Sequence, residues 1–221
     1  MKRFACDLVR EFILQGRQRH AIVNAGLFYA MVMVFFPLEM SSEVDLLRQV
    51  LPGLVWIAVL FMCFLSIDRL FYEEHAGGVI EQWLMMPDAL HGMICAKLIA
   101  HVLTNFIPLI GLMPILMLGF ALSWHETMVL LACLLCGTPT LVAFCGLAAA
   151  FSLALKQKSV LMALVILPLT LPVMIIGSGA MTAAMQGLAA SGELALLLAM
   201  SLVSVFFLPC AISAVLRAQV I

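Results

Sequence analysis

Long apolar stretches separated by short polar interruptions set the architecture of this chain. A helix that crosses a bilayer needs about 20 mostly apolar residues. Six segments meet that length, at about residues 21–38, 50–67, 98–122, 127–155, 159–185 and 194–216, and none of them contains Lys, Arg, Asp or Glu. The pattern predicts an all-α integral membrane protein with six transmembrane helices. No internal repeat or low-complexity linker divides the chain, so residues 1–221 read as a single transmembrane domain. The fifth segment carries Pro168, Pro172, Gly177 and Gly179 and is expected to kink or break, which is tolerated only where protein or water surrounds the backbone.

Two polar stretches carry helical periodicity of their own. In residues 1–20, Phe4, Ala5, Leu8, Val9, Phe12 and Ile13 share one helical face, with Lys2, Arg3, Asp7, Arg10, Glu11 and Arg17 around the rest. Basic residues opposite an apolar face fit a helix lying in the membrane interface; the alternative is a basic tail that only sets topology. Residues 68–97 separate the second and third apolar segments, and Asp68–Pro87 is the longest run that could not sit in lipid. After Gly77 and Gly78, Val79, Ile80, Trp83 and Leu84 fall at helical spacing, with Glu81 and Gln82 opposite and Pro87 as a stop. The expectation is a short amphipathic helix on the membrane surface; an ordinary surface loop is the alternative.

Composition supports the membrane reading. The chain is 65% hydrophobic and 10% charged, against about 45–50% and about 25% for soluble domains. A net charge of −1 gives no nucleic-acid signal. Basic residues concentrate on the cytoplasmic side of membrane proteins. Placing the N-terminus in the cytoplasm puts ten of the eleven Lys and Arg residues inside and only Arg48 outside. Both termini are then cytoplasmic, and the external connections 39–49, 123–126 and 186–193 leave no room for an external domain. Trp56, Phe71, Tyr72, Trp83 and Trp124 are candidate interface anchors. The first 20 residues hold five Lys or Arg and no apolar core, so no cleavable signal sequence is expected.

The chemistry the sequence lacks narrows its function. There is no Gly-x-x-x-x-Gly-Lys-Ser/Thr phosphate loop, so the chain is not expected to hydrolyse ATP; it also lacks a His-Glu-x-x-His zinc helix and a Gly-x-Ser-x-Gly elbow. No ionisable acid or base lies mid-span, which disfavours a self-powered proton-coupled transporter. An intramembrane enzyme would need catalytic residues clustered at one depth, and none are. Seven cysteines are mostly in apolar segments, so no disulfide framework is expected, and Cys133 and Cys136 read as buried thiols. The sixteen methionines read as adaptable core filling.

Polar residues inside the spans include Asn24, Ser66, Thr104 and Asn105, expected to hydrogen-bond between helices. His101 is the one imidazole within a span. It is either a possible haem contact or a histidine bonded to a neighbouring helix. Gly137, Thr138, Pro139 and Thr140 lie mid-way along the fourth span. Pro139 frees a carbonyl, Thr138 and Thr140 can bond back to the backbone, and Gly137 permits close approach. These residues mark a helix kink or a subunit seam, as do Pro168 and Pro172.

Taken in order, Phe36-Pro37-Leu38, Pro52-Gly53-x-x-Trp56, Asp68-Arg69-Leu70-Phe71, Glu81-Gln82, Gly137-Thr138-Pro139-Thr140-Leu141 and Leu167-Pro168-Leu169-x-x-Pro172 resemble the haem exporter protein B (CcmB) family along nearly the whole chain. The resemblance implies an ABC-2-like permease subunit of the bacterial inner membrane, itself non-catalytic and binding no cofactor. ATP would be bound by a separate cytoplasmic ATPase, CcmA, and haem handled by the complex with CcmC, CcmD and the chaperone CcmE. Two copies of the chain would serve two ATPases. The implied role is to couple ATP hydrolysis to release of the haem-loaded chaperone during cytochrome c maturation; the alternative is an ABC-2 permease for another cargo such as a drug or lipid. In either case the helix after Gly77 and Gly78 is well placed as an ATPase coupling element. Val79, Ile80, Trp83 and Leu84 would engage the ATPase or the protein's own base, with Gln82 beside them. Glu73, Glu74 and Glu81 would be available to basic residues of the ATPase.

Overall fold

The computed structural model describes residues 2–17, 19–40, 44–67, 70–71, 74, 77–84, 87–153 and 158–220, which are helical nearly throughout, with no strand among them. In chain order the helices are α1 (Lys2–Arg17), α2 (Arg19–Glu39), α3 (Val44–Ile67), α4 (Val79–Leu84), α5 (Pro87–Gly111), α6 (Met113–Gly119), α7 (Trp124–Ser152), α8 (Lys158–Met185) and α9 (Ser191–Val220). Six stretches are long and apolar enough to cross a membrane: α2, α3, α5 continued by α6, α7, α8 and α9. The chain is a multi-pass membrane protein.

Helix α7 lies at the centre. It packs along α8 and α9, and meets α3 and α5 on its other side. Its buried small residues, among them Gly137, Ala143, Gly146, Ala148 and Ala149, let neighbouring backbones come close, the usual basis of helix packing where lipid removes the hydrophobic drive. Ser123 caps its start in a reciprocal capping box. The Ser123 hydroxyl accepts from the Glu126 amide at 3.3 Å, and the Glu126 carboxylate accepts from the Ser123 amide at 2.6 Å.

The third span departs from expectation. Its helix begins at Pro87, well before the charge-free stretch at 98, so residues 87–97 of the expected coupling region are the first turns of α5. Lys97 lies inside this helix, buried among its partners. The same span breaks at Leu112, where α6 starts with a proline in its first turn. The fifth span, expected to kink or break, stays helical from Lys158 through Pro168 and Pro172 to Met185. A break in lipid would strand backbone groups at several kcal/mol each. Between the two prolines the Thr170 hydroxyl donates to the Ile166 carbonyl at 2.9 Å. Pro168 and Pro172 are both exposed on the outer face of the bundle.

Other expectations are corrected by burial. Trp56, Phe71 and Trp83 are inside the protein instead of anchoring at an interface, whereas Trp124 is exposed; Tyr72 lies outside the described residues. Charges do occur within the long helices: Lys97 in α5, Glu126 in α7 and Arg48 in α3. Helix α1 forms as expected, but its polar side is what meets the protein. Glu11 and Gln15 are buried, while Phe4, Val9, Phe12, Ile13 and Leu14 are exposed. That outward apolar face is the one a membrane interface takes up.

Candidate functional site

The site is built where α1, the segment after α3, α4 and the start of α5 meet. Gly78 sits at φ +67°, in the left-handed region that glycine enters without a Cβ penalty, and turns the chain into α4. Ile80 and Trp83 of α4 are buried, Val79 is half-buried, and Gln82 is exposed. The helix packs on α5 and α9. The apolar side of α4 therefore closes on the protein's own base and leaves Gln82 outward. The sequence alone left both partners open for that side. Glu73 lies outside the described residues, as do the side chains of Glu81 and Leu84. Gly77 is exposed.

Glu74 is not free for a partner. Its carboxylate pairs with Lys97 Nζ, which also lies 3.1 Å from Glu11 Oε2. The Lys97 side chain is 5% exposed, Glu11 6% and Glu74 16%. One ammonium on α5 thus ties together a carboxylate from α1 and another from the segment after α3. Lys97 donates a hydrogen bond to Glu74, whereas its contact with Glu11 is an ion pair only: Glu11 Oε2 has no hydrogen-bond partner among the described residues.

A polar ladder continues from Lys97 along α5. The Gln15 amide donates to the Lys97 carbonyl at 3.4 Å, and the Thr104 hydroxyl donates to Gln15 Oε1 at 3.1 Å. One face further round, His101 Nε2 lies 3.0 Å from Ser66 Oγ on α3, which also accepts from Asn105 Nδ2 at 3.3 Å. The expected interhelical bonds of Ser66, Thr104 and Asn105 are present. His101 is buried and committed to α3 through Nε2.

A groove of about 250 Å³ opens between α1, α5, α7 and α9, lined by His91, Cys95, Leu98, Pro139, Phe206 and Pro209 among others. His91 sits at its edge with Cys95 Sγ 3.6 Å from one ring nitrogen and Cys210 Sγ 3.7 Å from the other. Because the sulfurs address opposite ring nitrogens, they do not converge with the imidazole on one ion. Among the described residues no three His, Cys, Asp or Glu side chains are placed to hold a metal. The imidazole that reaches this groove is His91 and not His101. Its spacing to Cys95, one helical turn, was visible in the sequence, but the contribution of Cys210 from α9 was not.

Mid-bundle, the Trp56 indole is wedged between Gly137 of α7 and Gly177 of α8. A Cβ at either glycine would overlap the ring. A Cβ at Gly146 would come within 2.8 Å of Leu98 Cδ2. The close approach at Gly137 is thus taken by the protein's own tryptophan. Thr138 and Thr140 do not bond back to the backbone as expected: both hydroxyls are buried without a hydrogen-bond partner among the described residues, as is Trp56 Nε1. Pro139 is half-buried on the groove wall.

At the far end of the bundle, Arg48 pairs with Glu126 and donates to the Ala121 carbonyl at 3.0 Å, fastening α3 to the start of α7.

Comparison with known proteins agrees with this architecture. The family described as CcmB protein matches residues 2–219. Heme exporter protein B of Pseudomonas aeruginosa is 38% identical over 217 residues, covering 98% of this chain and 97% of that protein. Heme exporter protein B of Haemophilus influenzae is 35% identical, covering 94% of each. That of Escherichia coli strain K12 is 33% identical, covering 91% of this chain and 93% of its own length. With the family matching residues 2–219, a stretch that holds all six spans, the chain belongs to the CcmB family.

Proposed function

We propose that this chain is the permease subunit of a haem-export complex in a bacterial inner membrane, with both termini cytoplasmic. It receives the work of ATP hydrolysis from a separate cytoplasmic ATPase and uses it to release a haem-loaded chaperone during cytochrome c maturation. The relatives' name, heme exporter protein B, supports the cargo class, and the missing phosphate loop supports a separate energy source. Haem is held mainly by partner subunits and ATP by the ATPase. The engagement of His101 with Ser66 supports this division. Two copies of the chain serve two ATPases, meeting across surfaces other than the occupied glycines Gly137 and Gly146.

The observation that carries the reading is the elbow at α4. A lever must grip the body it works on and present its other side to the partner, and α4 is held by Ile80 and Trp83 while Gln82 stays outward. A complex lacking residues 78–86 tests it. The expected result is a haem-loaded chaperone trapped on the complex and loss of mature cytochrome c, with the remaining subunits still assembled. Undiminished maturation by that deletion would remove the elbow from the mechanism.

A further inference from the structure

We propose that Lys97 is a positioning residue that carries movement of the α4 elbow to helix α1, so that α1 shifts as part of the working stroke. This rests on the coupling role of the elbow proposed above and adds its destination.

The geometry has three parts. Lys97 Nζ contacts carboxylates from two elements that are distant in sequence, Glu74 just before the elbow and Glu11 on α1. All three side chains are largely or fully buried, and an ion pair shielded from water is strong and stiff because separating it would strand a charge in a low dielectric. The contact is also doubled, since Gln15 on the next turn of α1 donates to the Lys97 carbonyl and is itself held by Thr104. Helix α1 otherwise packs chiefly on α5, and its remaining face is exposed and apolar. An amphipathic helix with a free apolar face can slide in an interface at little cost. Its position is therefore set by what grips the polar side, and that grip is centred on Lys97. Two carboxylates facing one ammonium also make the hub sensitive to a shift of either acid: as Glu74 moves away, Glu11 becomes the nearer partner.

The test uses the full chain assembled with its ATPase in liposomes. Spin labels report two distances, Gln82 to Ala218 for the elbow and Cys6 to Ala218 for α1, with the other native cysteines replaced. Gln82, Cys6 and Ala218 are exposed. In the unaltered hub, ATP is expected to shift both distance distributions. Glu11→Met removes the charged limb to α1, leaves the Lys97–Glu74 pair balanced and keeps only the 3.4 Å Gln15 contact; it should cut the Cys6 shift by more than half and keep the Gln82 shift. Lys97→Met should do the same, and Lys97→Arg should restore the Cys6 shift, a rescue that a purely structural role does not require. A Cys6 shift of full size in Glu11→Met would overturn the proposal while leaving the elbow reading intact. Absence of any Gln82 shift in the unaltered hub would overturn the elbow reading itself, and the proposal with it.

Discussion

Trp56 fills space that two glycines on different helices leave open, so its ring and the backbones of α7 and α8 are interdependent. Gly177→Ala overpacks this contact and is expected to cost about 1–3 kcal/mol. Trp56→Ala leaves a cavity worth about 3–5 kcal/mol. Because both changes act on one contact, the double variant Gly177→Ala/Trp56→Ala should be more stable than the sum of its single changes, as residues in direct contact are not additive. Thermal unfolding in detergent micelles measures this, and strict additivity would mean that the indole and α8 do not share the space. The close approach at Gly137 was legible from the residue itself, but the occupant was not. An aromatic within an apolar stretch reads equally as an interface anchor or as core, and only the packing of α3 against α7 and α8 decides. The same holds for Lys97. Its charge argued for a place outside the membrane span, and its two partners lie far away in sequence.

Helix α4 has six residues, too few to be stable alone, since isolated helices shorter than about 12–15 residues are marginal in water. It persists through its grip on the bundle, centred on Trp83 and Ile80. Trp83→Ala is therefore expected to abolish amide-exchange protection across residues 80–84 while α5 keeps its protection from about residue 90 onward. Ile80→Val, which removes one methylene, should cost about 0.5–1.5 kcal/mol and leave the helix formed. Unchanged protection in Trp83→Ala would show that other contacts hold the elbow. This element was legible because glycine, helical spacing and proline all marked it. Helix α8 does not break at its prolines, for a physical reason. Proline is a strong breaker in water, where freed backbone groups find solvent, but in a span the surrounding lipid penalises a break more than a lost hydrogen bond.

At the scale of the molecule, six spans return both termini to one side, which the proposed topology makes cytoplasmic. Single cysteines at Gln82 and Leu188, on a cysteine-free background, should separate cleanly under an impermeant thiol reagent. Both positions are exposed, at opposite ends of the bundle. Labelling of position 188 alone in intact spheroplasts is expected, with position 82 reacting only after permeabilisation; the reverse would invert the topology. The number of spans was readable because bilayer thickness fixes helix length, whereas the order in which helices surround α7 depends on side-chain complementarity that no single segment displays.

The ion pairs have a consequence for how such a chain is made. A lysine costs about 2.5–3.5 kcal/mol at the centre of a bilayer span and less toward the end, where Lys97 lies. Lys97, however, enters the membrane after both of its acids, Glu11 and Glu74, have been synthesised. Glu126 likewise follows Arg48. Each late charge emerges from the ribosome after its counter-charge has already been made on an earlier segment. The nascent protein is never required to leave the later member of a pair unmatched in lipid, and biogenesis from the N-terminus follows the order in which the bundle is tied.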